Sequence, residues 1–244
     1  MQSGLYVALS SQIALERRLT TISDNMANVN TVGFRGSEVK FDEMVAKNHN
    51  DMNAKVAFVS QGNDYLSTRQ GAFEQTGNSF DFAIKGDAWF ALDTPDGQIL
   101  TRDGRFTMRP DGALISSSGY PVLDAGGGPI RLNPNGGPIT VGLDGAIRQN
   151  DTIAASLGIF QADFSKGFLR HPNSGVKPVA QPVPVVNNHE VGVVQGYLEQ
   201  SNVNGISQMT QLIQVNRAFE SISSMMRDTE STFGEGIKTL GGAR

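Results

Sequence analysis

The sequence predicts an α+β protein in which long N- and C-terminal helices form a coiled-coil-like layer, with a central, hairpin-rich, all-β domain of the sandwich or barrel kind inserted between them. Near both ends of the 244-residue chain, apolar residues recur at alternating spacings of three and four, which is the period of a helix. In the middle this period disappears, and short apolar runs are separated by turn signals, which is typical of strands. The length suffices for one large domain or two modest ones.

The first helix is predicted over roughly residues 3–30. Its apolar positions form a stripe with the heptad spacing of a coiled coil, interrupted by one polar residue, Gln12. This stripe is narrower than the face with which a helix usually packs on its own domain. The pattern therefore favours pairing with another helix at least as strongly as packing within one domain. The stripe consists of Leu5, Ala8, Gln12, Leu15, Leu19, Ile22, Met26 and Val29.

The β-rich outer domain is predicted over residues 76–199, after an extended linker region at 31–75. Apolar runs such as FDFAIKG, WFALD and PITVG indicate its strands, and we assign Trp89 and Phe90 to its core. Asp-Gly and Asn-Gly pairs between the runs supply the positive φ angles that tight hairpins need. These turn signals are TPDGQ at 94–98, RPDGA at 109–113, NPNGG at 133–137 and GLDGA at 142–146.

A second long helix is predicted over roughly residues 200–240, and either Ser207 or the Asn204-Gly205 pair caps its start. Residues 1–30 and 200–244 are therefore predicted to form one discontinuous helical assembly domain. Its apolar stripes can pair with each other or with the stripes of neighbouring subunits. The second stripe consists of Leu212, Val215, Phe219, Ile222, Met226, Thr229 and Phe233.

The composition argues against several classes of protein. A net charge of −4 argues against general nucleic-acid binding, which favours a basic face. The lack of cysteine excludes disulfides, thiolate metal sites and cysteine nucleophiles. No apolar run reaches the length of about 18 residues that a transmembrane helix needs. Polar residues from Ser10 to Gln12 interrupt the apolar N-terminal stretch, so we expect no cleaved signal peptide.

The sequence shows no constellation of catalytic or metal-binding residues. Its three histidines lie apart in predicted loops, without the spacing of a metal site. Asp96, Asp103 and Asp111 each precede a glycine, and turn chemistry explains that position. A β-rich hydrolase that uses two of these carboxylates as acid and base is a rival hypothesis. We predict no catalytic residue, no cofactor and no metal. The histidines are His49, His171 and His189.

Asparagines are concentrated where the first helix is predicted to end, in DNMANVNTVGFRG at 24–36. Asparagine and glycine tolerate left-handed backbone angles and commonly end helices, and an apolar residue just beyond can anchor the exit. This role requires fewer amides than the segment contains. Because side-chain amides both donate and accept hydrogen bonds, we expect the additional ones to contact adjacent subunits. The residues concerned are Asn25, Asn28, Asn30, Gly33 and Phe34.

The segment DNMANVNTVGFRG resembles the N-terminal signature of the flagellar basal-body rod and hook proteins. FDFAIKGDAWF, LTRDGRFTM and SSGYPVL are similar to the β-domain of that family. QGYLEQSNVNGISQMTQLIQVNRAFESISSMM resembles its C-terminal signature, in which Asn202 precedes the helix and Arg217 and Phe219 lie within it. These phrases occur in the family's order and cover nearly the whole chain. Its length, the opening MQSGLYVALSSQ and the phrase AIKGDAWF are more similar to a proximal than to a distal rod protein.

The resemblance implies a structural subunit without enzymatic activity. The terminal helices would form an inner coiled-coil layer, and the β-domain an outer layer. Subunits would stack helically into a hollow, torque-transmitting drive shaft in the periplasm, after export without a cleaved signal. The implied partners are further copies of the chain, other rod proteins including the distal rod protein, and the flagellar type III export apparatus. No nucleic acid, small-molecule substrate or transmembrane insertion is implied.

The residues predicted to make subunit contacts combine the two helical stripes with the asparagine-bearing signatures. A distal rod subunit is the nearest alternative, and a secreted β-domain binding module with a helical oligomerisation stalk is a more distant one. The hypothesis of a secreted binding module does not explain why two asparagine-bearing signatures flank the β-domain. The predicted contact residues are Leu5, Leu15, Leu19, Ile22, Asn25, Met26, Asn28, Asn30, Gly33, Phe34, Asn202, Leu212, Val215, Arg217, Phe219, Ile222 and Met226.

Overall fold

The computed structural model describes residues 2–41, 43–47, 55–60, 62–172, 174–185 and 190–242. These residues form a mixed α+β protein with one long helix near each end and short strands between them, as the sequence predicts. The helices are α1 (Gln2–Ala27) and α2 (Gly205–Gly241). The strands are β1 (Ser37–Lys40), β2 (Glu43–Lys47), β3 (Lys55–Val59), β4 (Asn63–Leu66), β5 (Phe73–Gln75), β6 (Phe82–Lys85), β7 (Trp89–Thr94), β8 (Gly97–Thr101), β9 (Phe106–Met108), β10 (Leu114–Ser116), β11 (Ile139–Val141), β12 (Ala146–Gln149), β13 (Thr152–Ser156), β14 (Ile159–Gln161), β15 (Phe168–His171), β16 (Gly175–Pro178), β17 (Val183–Pro184), β18 (Gly192–Gln195) and β19 (Tyr197–Glu199).

The chain divides into two units, each assembled from separate segments. The first unit combines Met1–Met26, Glu38–Asp64 and Asn204–Arg244, and it contains both helices and the antiparallel β2–β3 hairpin. The second unit combines Ala27–Ser37 with Tyr65–Val203 and contains most of the strands. The segment predicted as an extended linker, residues 31–75, contributes short strands to both units.

In the first unit, polar contacts are made by the middle of α1 and at the start of α2. Arg17 on α1 donates hydrogen bonds to the carbonyl oxygen of Gly62 at 3.0 Å and to Asp64 Oδ2 at 3.1 Å. At the start of α2, the Oδ1 of Asn204 accepts a hydrogen bond from the backbone N–H of Ser207 at 3.0 Å. This bond satisfies one of the N–H groups that lack a partner within a helix's first turn. Of the two predicted caps, the structure therefore has Asn204.

In the second unit, the largest sheet has six strands in the order β15-β16-β8-β7-β14-β17, and its described pairs are antiparallel. β17 contains Pro184 and lies at the sheet edge, where the missing N–H of proline costs no ladder bond. A three-stranded sheet, β11-β12-β13, lies in the same unit. Each of the predicted turn segments has a glycine at positive φ, which in the three Asp-Gly turns is the glycine of the pair and in NPNGG is Gly137, the residue after the Asn-Gly pair. These glycines are Gly97, Gly112, Gly137 and Gly145.

The core of the second unit is aromatic at its centre. Phe90 and Phe106 pack edge to face with ring centroids 5.2 Å apart, and Phe82 lies 5.9 Å from Phe106. A second cluster surrounds Trp89, whose ring meets Phe164 at 5.2 Å. Trp89 and Phe90 are both buried, so the prediction that they belong to the core is confirmed. They point into different clusters because neighbouring strand residues face opposite sides of a sheet.

The described part of the chain has no helix that is both long and apolar enough to cross a membrane.

Candidate functional site

Two segments from opposite ends of the chain are bound to each other within the second unit. The backbone N–H of Gly33 donates to the carbonyl oxygen of Glu199 at 2.7 Å, and that of Asn202 donates to the carbonyl oxygen of Phe34 at 3.2 Å. The backbone N–H of Gly36 donates to Asn202 Oδ1 at 2.8 Å. We call residues 33–36 and 199–202 the terminal junction. It joins the segment that follows α1 to the segment that precedes α2.

At the centre of the terminal junction, one carboxylate lies between two guanidinium groups. Glu199 Oε1 lies 2.8 Å from Arg35 Nη2, and Glu199 Oε2 lies 3.0 Å from Arg102 Nη1. All three side chains are at most 1% exposed. Oε1 also accepts a hydrogen bond from the backbone N–H of Gly71 at 3.0 Å. A buried carboxylate is tolerated only with such charged and hydrogen-bonded partners.

Backbone carbonyl groups hold the two arginines in place. Arg35 Nη1 donates to the carbonyl oxygens of Thr68, at 2.6 Å, and of Arg69. Arg102 donates from Nη1 to the carbonyl oxygen of Ile84 at 2.9 Å and from Nη2 to that of Gly86 at 2.6 Å. Each arginine therefore connects Glu199 to a different stretch of backbone, and the side chain of one glutamate organises several distant segments.

Burial dominates the electrostatics of both arginines. Removal from water lowers the pKa of Arg102 to about 10 and also lowers that of Arg35, while the charge of Glu199 opposes both shifts. The ring of Trp89 lies close to both cations, with its centroid 5.2 Å from Arg102 Cζ and 5.6 Å from Arg35 Cζ. An indole ring attracts a nearby cation through its quadrupole, so Trp89 offsets part of the cost of burying the two charges.

Asn202 uses both ends of its amide within the terminal junction. Besides accepting from Gly36, it donates from Nδ2 to Ser67 Oγ at 3.1 Å and to the carbonyl oxygen of Arg69 at 2.7 Å. The sequence predicts Asn202 as a subunit-contact residue, and the structure assigns its side chain to these three bonds within the chain. Its neighbour Gln200 donates to Glu74 Oε2 at 2.6 Å on the adjacent strand.

Asn202→Asp tests the importance of this amide. Aspartate keeps the acceptor for Gly36 but loses both donors and places a carboxylate against the carbonyl oxygen of Arg69. Leaving such polar groups unpaired costs about 1–3 kcal/mol each, so we expect the free energy of unfolding to fall by about 2–4 kcal/mol in urea titrations. Asn133→Asp is the matched control. The side chain of Asn133 contributes an acceptor, since its Oδ1 accepts a hydrogen bond from the backbone N–H of Asn135, and aspartate keeps that acceptor. Equal stability of the two variants would contradict the assignment.

Gly33 is required in the terminal junction for two independent reasons. Its φ is +68°, which an L side chain rarely adopts. A Cβ atom at this position would lie 2.2 Å from the backbone nitrogen of Asp103 and 2.4 Å from the carbonyl carbon of Arg102. The chain after α1 thus approaches the 102–103 backbone more closely than any residue with a side chain allows.

Phe34 is buried beneath the β15–β16 hairpin. Arg170 on β15 places its Cζ 4.6 Å from the centre of the Phe34 ring and donates from Nη2 to the carbonyl oxygen of Arg35. Ser174 Oγ donates to the carbonyl oxygen of Val32 at 2.7 Å. The expected anchoring role of Phe34 is therefore filled within the chain, through its contact with Arg170.

The other predicted asparagines have different surroundings. Asn25 is buried in the first unit, with Nδ2 3.5 Å from Gln208 Oε1. Asn28 Oδ1 accepts a hydrogen bond from Thr31 Oγ1 at 3.1 Å in the turn after α1, and Asn30 is exposed. Among the three, Asn30 therefore offers the most accessible amide.

The predicted helical stripes are covered to different degrees. Ile22 and Val215 are buried, whereas Arg217 is exposed. Leu5 lies in the first turns of α1. The remaining predicted contact residues on the helices are half-buried, and they are Leu15, Leu19, Met26, Leu212, Phe219, Ile222 and Met226. Phe233, at the end of the second stripe, is 40% exposed.

Each helix also carries a second, exposed apolar stripe that sequence reasoning missed. On α2 it begins with Ile206, which is 81% exposed, and continues with Met209 and Ile213. The α1 stripe has the same spacing of three and four, so its side chains also lie on one face. It consists of Tyr6, Leu9 and Ile13. Such rows of exposed apolar residues are typical of surfaces that contact another protein.

Arg35, Arg102 and Glu199 are the residues of the terminal junction that sequence reasoning missed. A signal for them was present, because each lies inside a phrase that carries the family resemblance, namely TVGFRG, LTRDGRF or LEQSNVNG. Each is a charged residue in or beside an apolar run. The sequence alone does not show that one carboxylate pairs with two guanidinium groups, since the three residues are distant along the chain.

The carboxylates of the hydrolase hypothesis serve the fold. Asp103 forms an ion pair with Arg105 at 2.7 Å, and Asp111 Oδ1 accepts a hydrogen bond from the backbone N–H of Ala113 in its turn. Asp96 is exposed and lies 3.8 Å from His171 Nε2. His49 and His189 lie outside the described residues. Among the residues that are described, no group of three or more acidic, histidine or cysteine side chains could hold a metal ion.

Three family models match the chain. "Flagella basal body rod protein" matches residues 5–35, "Flagellar hook protein FlgE/F/G D1 domain" matches 83–149, and "Flagellar basal body rod FlgEFG protein C-terminal" matches 194–239. The first ends at Arg35, the second includes Arg102 and the third includes Glu199. The three charged residues of the terminal junction thus come from three separately matched regions.

Full-length relatives give the same assignment. The chain is 57% identical to "Flagellar basal-body rod protein FlgF" of Rhizobium meliloti, and the alignment covers the whole of both chains. It is 35% identical to the FlgF of Caulobacter vibrioides over 99% of both chains. It is 30% identical to "Flagellar basal-body rod protein FlgG" of Bacillus subtilis, over 96% of this chain and 98% of the relative. The similarity is greater to FlgF than to FlgG, as the sequence predicts.

Proposed function

Because the chain belongs to the family of flagellar basal-body rod proteins, we propose that it is an FlgF-like structural subunit of the proximal rod, which assembles through its two terminal helices. The observation that carries this proposal is the 57% identity to an FlgF protein along the entire chain. The relatives named above are rod proteins, so the function of this chain is structural rather than enzymatic.

The exposed stripes on both helices support assembly through them. A subunit with apolar surfaces on two different helices can contact neighbours on more than one side. Contacts of this kind, between different patches of identical or similar subunits, build helical filaments when the rotation between subunits does not close a ring. Residues 1–30 and 200–244 form the proposed inner coiled-coil layer, and residues 76–199 form the outer domain.

The same assignment suggests the partners and the location. The proposed partners are further copies of the chain, other rod and hook proteins including the distal rod protein, and the flagellar type III export apparatus. The proposed location is the periplasmic rod of the basal body, reached without a cleaved signal. Asn30 and the half-buried helical residues named above are the proposed subunit contacts, together with the two exposed stripes.

We assign the terminal junction a supporting role. It fixes the backbone of the segments that lead out of α1 and into α2, through one ion-paired glutamate and the amide of Asn202. Assembly through the helices depends on how the chain leaves α1 and enters α2. Gly33 and Asn202 hold these two connecting segments by contacts within the chain.

Ile213→Glu tests whether the exposed stripe of α2 is an assembly surface. Ile213 is 54% exposed, so we expect the purified variant to keep its circular dichroism spectrum and unfolding midpoint. A charge buried in a subunit interface without a partner costs several kcal/mol, so we expect rod assembly and swimming to be lost. Motility in soft agar and electron microscopy of isolated basal bodies measure this.

Gln214→Glu is the matched control for this variant. It introduces the same charge one residue later, at another exposed position outside the stripe, and we expect motile cells. Motile Ile213→Glu cells would show that the stripe is not an assembly surface.

Complementation distinguishes the two rod types, because a proximal-rod subunit should restore motility to cells that lack FlgF and not to cells that lack FlgG.

A further inference from the structure

Three buried N–H groups around the single tryptophan have no hydrogen-bond acceptor among the residues that the structure describes. They are the Nε atoms of Arg35 and Arg102 and the Nε1 atom of Trp89, whereas Arg35 Nη2 has only its ion-pair contact with Glu199 Oε1 at 2.8 Å and no hydrogen bond. All three side chains are essentially inaccessible to solvent. Buried donors without an acceptor are rare in folded proteins, and a group of them usually indicates a bound water or ion.

The three donors belong to side chains that lie against one another. The guanidinium carbons of Arg35 and Arg102 lie 5.6 and 5.2 Å from the centre of the Trp89 ring, and both arginines contact the carboxylate of Glu199. The other guanidinium nitrogens are already occupied by Glu199 and by backbone carbonyl groups. The unused donors are therefore on the edges of the guanidinium groups that these acceptors do not reach.

The charge of this cluster is not balanced. Two buried guanidinium groups face one buried carboxylate. Asp87 is close enough to favour both cations, but it is exposed, so solvent screens much of its charge. Burial lowers the pKa of both arginines despite the ion pairs, and for Arg102 the neighbouring charge of Arg35 adds to this lowering.

We propose that Arg35, Arg102 and Trp89 together bind one small monovalent anion of the halide class inside the second unit. A water molecule accepts only two hydrogen bonds and carries no charge, whereas a halide ion accepts three or more and balances the excess positive charge. Larger anions such as sulfate are disfavoured, because the three side chains are at most 1% exposed and a larger ion needs a larger space in a close-packed interior. The ion would act as a structural component of the terminal junction.

The fluorescence of Trp89 provides a direct test, since it is the single tryptophan of the chain. The probe is sodium bromide, added to the full-length protein at an ionic strength kept constant with sodium gluconate. Bromide quenches an indole that it contacts, so we expect quenching that saturates and that is reversed by chloride. Acrylamide, a neutral quencher, should have little effect because the indole is 1% exposed. Bromide quenching that is absent, or linear and insensitive to chloride, would overturn the proposal.

A variant and a crystallographic measurement distinguish a bound halide from non-specific quenching. Arg102→Lys keeps the charge but removes the Nε donor, so we expect the bromide concentration at half-saturation to rise about tenfold, as for the loss of one good hydrogen bond. Arg105→Lys is the control, because Arg105 pairs with Asp103 at a part-exposed site, and it should leave the titration unchanged. If Arg102→Lys does not fold, the anomalous signal of bromide in crystals of the unmodified protein decides. A peak beside Trp89 supports the halide, and an ordered water or no density there overturns it.

Discussion

Replacing Glu199 by glutamine is expected to lower the free energy of unfolding of the second unit by about 3–5 kcal/mol, the usual cost of removing one partner from a buried ion pair. Glutamine keeps the size of the side chain but leaves the charges of Arg35 and Arg102 without their carboxylate. One end of its amide also becomes a donor that faces a guanidinium group. Urea denaturation, followed by the fluorescence of Trp89 beside both arginines, measures the loss.

Glu74→Gln is the control for this prediction. Glu74 lies on β5, which pairs with the strand that carries Glu199, and it also bonds a neighbouring side chain, Gln200. Unlike Glu199 it is exposed, and exposed charge contacts contribute about 0–1 kcal/mol. We therefore expect an unfolding midpoint close to that of the unmodified protein. A Glu199→Gln variant as stable as Glu74→Gln would show that the buried triad does not hold the terminal junction together.

Gly33→Ala is expected to destabilise the second unit by at least about 3 kcal/mol, which is far more than a left-handed backbone angle alone costs. Its Cβ atom would come within 2.2 Å of the backbone nitrogen of Asp103, and backbone cannot move aside as a flexible side chain can. The hydrogen bond from the N–H of Gly33 to Glu199 would have to break or lengthen. Since this segment leads out of α1, we also expect reduced motility in cells that carry the variant.

Gly77→Ala separates the steric effect from the effect of the backbone angle. Gly77 has nearly the same φ, +71°, but nothing lies within 4 Å of the position of its Cβ atom. We expect this control to lose only the roughly 1 kcal/mol that a positive φ costs alanine. Similar losses for both variants in the same urea titration would mean that the approach of residue 33 to residue 103 is not tight in solution.

The features that the sequence predicts correctly are local ones. The helical period at both ends indicates α1 and α2, and Asn204 is recognisable as a cap because asparagine accepts from the N–H three residues on. The Asp-Gly and Asn-Gly turn segments are equally local, and each has a glycine at positive φ. Strands within residues 31–75 are harder to predict, because segments such as SEVK in β1 mix charged and apolar residues and have no continuous apolar run.

The chemistry of the terminal junction depends on pairs of residues that are distant in sequence. Nothing next to Arg35 indicates that its partner is Glu199, and nothing next to Glu199 indicates a second arginine. The amide of Asn202 illustrates the same difficulty, since a side chain that can bond a neighbouring subunit can bond its own backbone equally well. Sequence reasoning predicts that such an amide has partners, and only the folded chain shows which partners they are.

The terminal junction also has a consequence for the order in which the chain acquires its structure. The bond between Gly36 and Asn202 spans 166 positions, and β5 and β6 pair with strands that begin only after residue 190. Contacts of such high sequence separation make folding slow. In a chain that emerges from its N-terminus, β5 and β6 remain without these partner strands until most of the sequence has appeared. Unpaired strand edges can template aggregation, so the period before residue 202 emerges is the time when this protein most needs protection.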